Sequence, residues 1–247
     1  GMLNLSSRVG FDPQSDPPAD EPALHARIAV NLDASGNALA DASILTGAAN
    51  DMLDVEVAGS AIGDGLIVPC IKLAIGTGNG DDDVHIDATG SYGELAFALD
   101  TGEGDDQIRH RMFAIVDRTN LTVQTGAGND AVDAQAHHTG GVNVLFGDGS
   151  VRFLTGDGDD TVHMELAGQV NQYLLELDTG AGNDTAYAGT HVLYQDIFIP
   201  ANTGAGDDAL DLSIELPPLD EGASGLSANR TDIRVDLGEG RDGVRLQ

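Results

Sequence analysis

The sequence predicts an all-β fold, a single parallel β-solenoid (parallel β-helix) of roughly seven to eight coils. Three observations lead to this prediction. A six-residue Gly-Asp motif recurs at a fixed interval, apolar residues alternate on both sides of each copy, and the chain is rich in glycine but poor in aromatic residues. There are 33 glycines, and aromatic residues make up 4% of the 247 residues. Glycine permits sharp turns, and alternation is typical of strands with one buried face.

The motif is Thr-Gly-x-Gly-(Asp/Asn)-Asp, and it occurs in six clear copies. They begin at Thr77, Thr101, Thr125, Thr155, Thr179 and Thr203. Four of the five intervals between them span 24 positions, and the fifth spans 30. Two weaker copies, TGAAND from Thr46 and LGEGRD from Leu237, flank the series. A fixed interval of this size indicates stacked structural repeats, here one coil per copy, with insertions where the interval is longer.

Apolar residues alternate just before and just after each motif. Examples before it are Leu95, Phe97 and Leu99, and Tyr173, Leu175 and Leu177; examples after it are Val84 and Ile86, and Val162 and Met164. Each coil is therefore predicted as a strand, a Gly-Asp corner, a second strand and a looser return. Because one coil cannot bury its apolar face alone, stacking of the coils produces the core.

Domain organisation follows from where this pattern begins. Residues 1–24 are predicted as an extended lead-in, since Phe11 to Pro22 is rich in Pro and Asp and has no period. Residues 25–247 are predicted as one solenoid domain. The stretch from Pro217 to Arg230 is predicted as a surface loop.

The charge balance excludes several classes of partner. The chain has 41 acidic against 11 basic residues, a formal charge of -30. Nucleic acid binding requires a basic surface, so no nucleic acid partner is expected. No apolar stretch is long enough to span a bilayer, so membrane insertion is not expected either. The single cysteine, Cys70, excludes an intrachain disulfide.

The corners carry the chemistry that we expect to be functional. Glycines leave backbone carbonyls free to point into a turn, and calcium takes six to eight oxygen ligands from carbonyls and carboxylates. The run from Gly180 to Tyr187 resembles the hemolysin-type calcium-binding (RTX) repeat, whose pattern is G-G-x-G-x-D-x-U-x. The resemblance implies a calcium ladder, with several ions between stacked turns. The carboxylates that it implies as ligands are Asp82, Asp106, Asp130, Asp160, Asp184 and Asp208. The carbonyls are those near Thr101, Gly102, Gly104, Thr125, Gly126, Gly128, Thr179, Gly180 and Gly182.

The chain departs from the RTX pattern in two respects. Threonine replaces the first glycine in every clear copy, and each coil has one corner where the RTX pattern has two. The flanking copies carry Ala49 and Arg241 within the motif. The alternative interpretation is that the motif only turns the chain, with Asp and Asn capping backbone amides.

A second resemblance concerns His138 to Leu154. This segment is similar to the H-x9-D-G signature of bacterial pilin-like secreted proteins, with His138, Asp148 and Gly149 at the key places. The resemblance implies a cell-surface or pilus-associated component. From the residues alone, the segment is predicted as an inserted hairpin turning at Gly147 to Gly149.

The column just after the apolar position faces outward by alternation. It contains Asp54, His85, Arg109, Asp133, His163, Tyr187, Asp211 and Arg245. A catalytic role resembling that of β-helix polysaccharide lyases or hydrolases is one interpretation, and a solvated row of charges is the other. No catalytic residue is assigned, and the chain is not expected to be an enzyme.

The expected function is that of a secreted calcium-binding solenoid acting as a structural, adhesive or binding module. Extracellular or cell-surface location follows from the RTX resemblance, because calcium is abundant outside the cell. The partners expected are calcium and an extracellular polysaccharide or cell-surface component. The alternatives are a polysaccharide-active or glycan-binding β-helix and a pilus-associated component.

Overall fold

The computed structural model describes residues 2–7, 24–33, 39–59, 70–138, 147–215 and 230–247. The segment from Phe11 to Pro22 and residues 217–229 of the predicted loop lie outside these ranges. Every regular element in the described part of the chain is a β-strand. The strands are β1 (Met2–Ser7), β2 (Leu24–Asp33), β3 (Leu39–Leu45), β4 (Asp51–Gly59), β5 (Cys70–Gly76), β6 (Asp83–Asp100), β7 (Gln107–Gln124), β8 (Ala131–His138), β9 (Gly147–Leu154), β10 (Thr161–Asp178), β11 (Thr185–Asn202), β12 (Ala209–Glu215), β13 (Arg230–Asp236) and β14 (Gly243–Leu246).

The strands form two parallel ladders, which confirms the predicted β-solenoid. The pre-corner ladder runs β3-β5-β6-β7-β9-β10-β11-β13, and the post-corner ladder runs β2-β4-β6-β7-β8-β10-β11-β12-β14. Strands β6, β7, β10 and β11 are 18 residues long and belong to both ladders, with their first halves in the post-corner one. In these coils the chain bends within a continuous strand.

Pairing follows the repeat interval. Strand β6 pairs with β7 from Asp83↔Gln107 to Asp100↔Gln124, and β10 pairs with β11 from Thr161↔Thr185 to Asp178↔Asn202. Every partner in these two pairs lies one repeat interval further along the chain. The corners add a third row of contacts, with isolated parallel bridges joining Glu103, Ala127, Asp157, Ala181, Ala205 and Glu239 in turn.

The core lies between the two ladders. It is filled by the alternating apolar residues on both sides of each corner, among them Val84, Ile86, Leu95, Leu99, Leu175 and Leu177, each at most 2% exposed. Phe97 of the pre-corner ladder contacts His110 of the post-corner ladder edge to face, with ring centroids 5.3 Å apart. The two ladders therefore pack against each other inside the coil.

Two parts of the structure differ from the sequence prediction. The predicted hairpin at Gly147 to Gly149 is wrong, because these residues begin β9, which pairs in parallel with β7 and β10. Residues 139–146 lie outside the described ranges. In the lead-in, β1 pairs antiparallel with β2, and the remaining described strand pairs are parallel. The described residues include no helix that could cross a membrane.

Candidate functional site at the Gly-Asp corners

Each corner depends on two glycines whose backbones take positive φ. In the corner at Thr125, φ is +91° at Gly126 and +147° at Gly128. A Cβ atom at either position would lie 1.9 Å from the carbonyl oxygen of the matching glycine in the preceding coil. Both the turn and the close stacking of the coils therefore require glycine.

The last residue of each motif forms a row, buried from Asp51 to Asp208, which we call the inner row. One carboxylate oxygen, Oδ1, accepts a hydrogen bond from the backbone N–H of the inner-row residue in the preceding coil, at 2.8 to 3.2 Å. Each of these accepting side chains thus ties its own coil to the one before it, and Asp51 supplies the first backbone donor. The row comprises Asp51, Asp82, Asp106, Asp130, Asp160, Asp184, Asp208 and Asp242.

The second carboxyl oxygen differs along the row: Oδ2 of Asp51 accepts the hydroxyl of Thr46, whereas six other members have no such partner. The Oδ2 atoms of all six aspartates predicted as metal ligands are buried and make no hydrogen bond among the described residues. The threonine that opens each motif is buried beside them. Thr125 donates its hydroxyl proton to the carbonyl of Thr155 at 3.0 Å, and Thr155 donates to that of Thr179 at 3.1 Å. Because a hydroxyl has one proton, a threonine that donates to the next coil leaves the adjacent carboxyl without that donor.

Burial also controls the acidity of the inner row. Desolvation raises the pKa of Asp106 to about 7 and the pKa of Asp160 to about 6, and the hydrogen bond that each carboxylate accepts from a backbone N–H offsets part of this effect. Burial raises the pKa of Asp82, Asp130 and Asp184 as well. The structure thus favours the neutral carboxylic acid at these positions.

The fifth residue of each motif forms an exposed row, which we call the outer row. Here the side chain oxygen accepts from the backbone N–H of the following coil, at 2.7 to 3.0 Å, which is the direction opposite to that of the inner row. Its members are Asn50, Asp81, Asp105, Asn129, Asp159, Asn183, Asp207 and Arg241. The backbone N–H of Arg241 donates the last of these bonds to Asp207, and the Arg241 side chain has no oxygen that could accept a further one. The motif had predicted amide capping as an alternative, but not two rows running in opposite directions.

The carbonyls predicted as calcium ligands are packed between coils. Those of Gly102, Gly126 and Gly180 accept a backbone N–H from the next corner, at 3.0 to 3.3 Å. Those of Thr101 and Thr179 accept the hydroxyl of the preceding threonine. The remaining glycine carbonyls face the glycines of the next coil.

The corner oxygens are therefore of the type that calcium binds, but most of them already take part in bonds between coils. Calcium needs six to eight oxygens, and each of the six clear corners offers one unpartnered carboxyl oxygen beside a threonine hydroxyl. The described residues include no cluster of three His, Cys, Asp or Glu side chains that could hold a metal ion. Calcium would be held by the Oδ2 atoms together with threonine oxygens, and its charge would compensate the ionised carboxylates.

The outward column lies in register across the coils. Asp54, His85, Arg109 and Asp133 are paired in turn, followed by His163, Tyr187, Asp211 and Arg245. Most of these side chains pair with a neighbour. Nδ1 of His85 lies 3.1 Å from Asp54, Nδ1 of His163 lies 3.1 Å from Asp133, and Arg109 pairs with Asp83 at 3.1 Å. This arrangement is typical of a solvated row of polar and charged side chains.

A family described as "Protein of unknown function (DUF1559)" matches residues 34–161, which is just over half of the chain. The chain belongs to this family. The matched segment contains the first five corners of the stack and the segment from His138 to Leu154. No curated protein and no solved structure matches the chain significantly.

Proposed function

We propose that this DUF1559 protein is a secreted or cell-surface structural module, a rigid solenoid that presents its side faces to other molecules. The observation that carries the proposal is the double row of corner hydrogen bonds. At the corners, the inner row ties a coil to the one before it and the outer row ties it to the one after it. Such a stack is suited to holding a shape.

A structural role also agrees with the surface chemistry. Most side chains of the outward column contact a charged or polar neighbour at the surface, and exposed contacts of this kind are ordinary surface features. The acidic surface keeps an extended protein soluble. Both features favour a scaffold over an enzyme.

Location is tested by surface proteolysis of intact source cells. We expect an externally added protease to remove the protein from intact cells while a cytosolic marker stays protected. Digestion only after lysis would contradict the proposed location. An antibody against the purified protein provides the readout.

Calcium binding at the inner row is the second candidate function, and the six unpartnered Oδ2 atoms are the observation that favours it. Ionised carboxylates stacked in successive coils repel each other, and a divalent cation would turn that repulsion into attraction. Binding to the folded state alone would add about 2.7 kcal/mol of stability at a hundredfold excess over Kd.

The test is thermal unfolding of chelator-treated protein with calcium added, and with magnesium as the ion control. If calcium binds there, it raises the melting temperature of the native chain, and Asp130→Ala and Asp184→Ala reduce the increase. Glu165→Ala, an exposed acid of the post-corner face, is the matched control and should respond as the native chain does. Equal melting temperatures with and without calcium would reject the metal site and leave the structural proposal standing.

A further inference from the structure

A groove of about 690 Å³ lies on the outward face of the pre-corner ladder, well away from the inner row. Five successive coils, contributed by β7, β9, β10, β11 and β13, form it. With coils about 4.8 Å apart, it extends about 19 Å along the solenoid axis. Its length suits an extended, repetitive ligand lying across the coils.

The floor of the groove is apolar in the middle and polar at both ends. It consists of one outward position in each coil, namely Asn120, Ser150, Leu174, Phe198 and Asp232. The guanidinium of Arg234 lies over the ring of Phe198, 5.0 Å from its centroid. Leu174 and Phe198 are half-buried, so part of their apolar surface is open to a ligand.

The wall of the groove is polar throughout. It is the outward position two residues earlier in each strand, occupied by Arg118, Asp148, Gln172, Asp196 and Arg230. These side chains are exposed, and they include both hydrogen-bond donors and acceptors. A polar wall beside an apolar floor matches a sugar ring, which presents hydroxyl groups at its edge and C–H groups on its face.

Charge decides between a neutral and an acidic ligand. The groove has three arginines, Arg118, Arg230 and Arg234, and three aspartates, Asp148, Asp196 and Asp232. It is therefore electrically balanced, whereas the chain as a whole carries a formal charge of -30. Such a protein repels polyanions, so the balanced groove is suited to an uncharged ligand.

We propose that this groove binds a neutral polysaccharide, with the sugar rings lying on Leu174 and on the part of Phe198 that Arg234 leaves open, and their hydroxyls hydrogen-bonded to the wall. The inference extends the proposed surface module but does not depend on the corner rows. Loss of sugar binding would leave melting and surface location unchanged, so the two proposals fail separately.

Affinity electrophoresis in native gels tests the groove. The gels contain laminarin, xylan, galactomannan or dextran as neutral probes and polygalacturonate as the acidic probe. We expect at least one neutral polysaccharide to retard the native chain. Phe198→Ala should weaken that binding about two- to tenfold through loss of ring contact, and Gln172→Ala should weaken it through loss of hydrogen bonds.

Phe113→Ala is the matched control, because Phe113 is an exposed aromatic residue on the opposite, post-corner face. It should be retarded as the native chain is. The exposed position of Gln172 keeps the test valid even if Phe198→Ala fails to fold. Three results overturn the proposal: no retardation by any of the four neutral probes, retardation by polygalacturonate alone, or undiminished binding of Gln172→Ala.

Discussion

At the scale of single residues, the corner motif reflects what each coil meets in the coil before it. A Cβ at Gly80 would lie 2.6 Å from the backbone of Ala49. Ala49 itself belongs to the first corner of the described stack, so no described corner lies before it. The weak first copy TGAAND therefore differs from the others at a position where stacking does not demand glycine.

The same reasoning predicts opposite outcomes for two Gly→Ala changes at equivalent positions. Gly126→Ala forces a side chain into positive φ and against the carbonyl of Gly102, so it should destabilise the protein by about 3 kcal/mol or prevent folding. Gly47→Ala, in the first corner, has nothing within 4 Å of the new Cβ and should cost less than about 1 kcal/mol. Urea unfolding of both variants measures the difference, and equal losses would refute the stacking argument.

The inner row predicts that metal-free protein is more stable at pH 5 than at pH 8. The pKa of Asp106 is about 7 in the folded chain, whereas an unfolded Asp titrates near 3.9. The folded state therefore binds the proton more tightly, and this contribution to stability is complete below about pH 4 and disappears as the pH rises through about 7. Asp160, with a folded pKa of about 6, acts in the same direction.

Urea midpoints measured in chelator at pH 5 and pH 8 check this sign. We expect the higher midpoint at pH 5. Asp106→Asn should reduce the difference, because the amide keeps an acceptor for the backbone N–H and has no proton to lose between these pH values. A higher midpoint at pH 8 for the native chain would show that the inner row is ionised and favourably solvated.

At the scale of elements, the sequence predicted what depends on alternation and missed what depends on the partner strand. The columns before and after each corner followed from period-two spacing, and the register confirms them. The glycines of the segment around Gly149 predict a turn. In the structure, a Cβ at Gly149 would lie 2.3 Å from the ring of Tyr173, so this glycine makes room for a tyrosine that the linear pattern does not connect to it.

The mixture of Asp and Asn in the outer row also belongs to this scale. Asn129 lies between Asp105 and Asp159 of the adjacent coils and donates its amide to Asp105 at 3.2 Å. Asn129→Asp would replace this hydrogen bond with a third carboxylate, and we expect a loss of about 1 kcal/mol at low salt. Added salt should recover part of the loss, because exposed charges are screened.

The matched control is Gln135→Glu in the post-corner ladder, where the neighbours in the column are Arg111 and Glu165. With one base and one acid beside it, the new charge should have little effect. Chemical unfolding at low and high salt compares the two variants. A loss in Asn129→Asp that salt leaves unchanged would contradict the electrostatic explanation of the outer row.

At the scale of the whole molecule, the repeat interval determines the architecture. The sequence supplied the interval, and hence the stacking and the outward column from Asp54 to Arg245. It did not supply the burial of the inner row, because the motif is compatible both with an open metal-binding turn and with a closed turn. What distinguishes these two turns is the packing of the threonine side chain beside Asp106, a contact that only the folded corner defines.

If the interval determines the architecture, a whole coil is a removable unit. Deleting residues 101–124 joins Asp100 to Thr125, and every residue from Thr125 onward then stands one repeat interval closer to the coils before it. Strands β8 and β9 can then stack on β6 as β7 does now, since β7 pairs with β6 at an offset of one repeat interval. We expect the shortened chain to keep a β-sheet circular dichroism spectrum and a cooperative melting transition, because each coil of a solenoid contacts only its neighbours.

The control is a deletion of residues 101–112, which removes the same corner but only half of a coil. The apolar residues that follow the deletion would then lie opposite the wrong strands. That variant should fail to fold, and a folded half-coil deletion or an unfolded full-coil deletion would show that features other than the repeat interval hold this solenoid together.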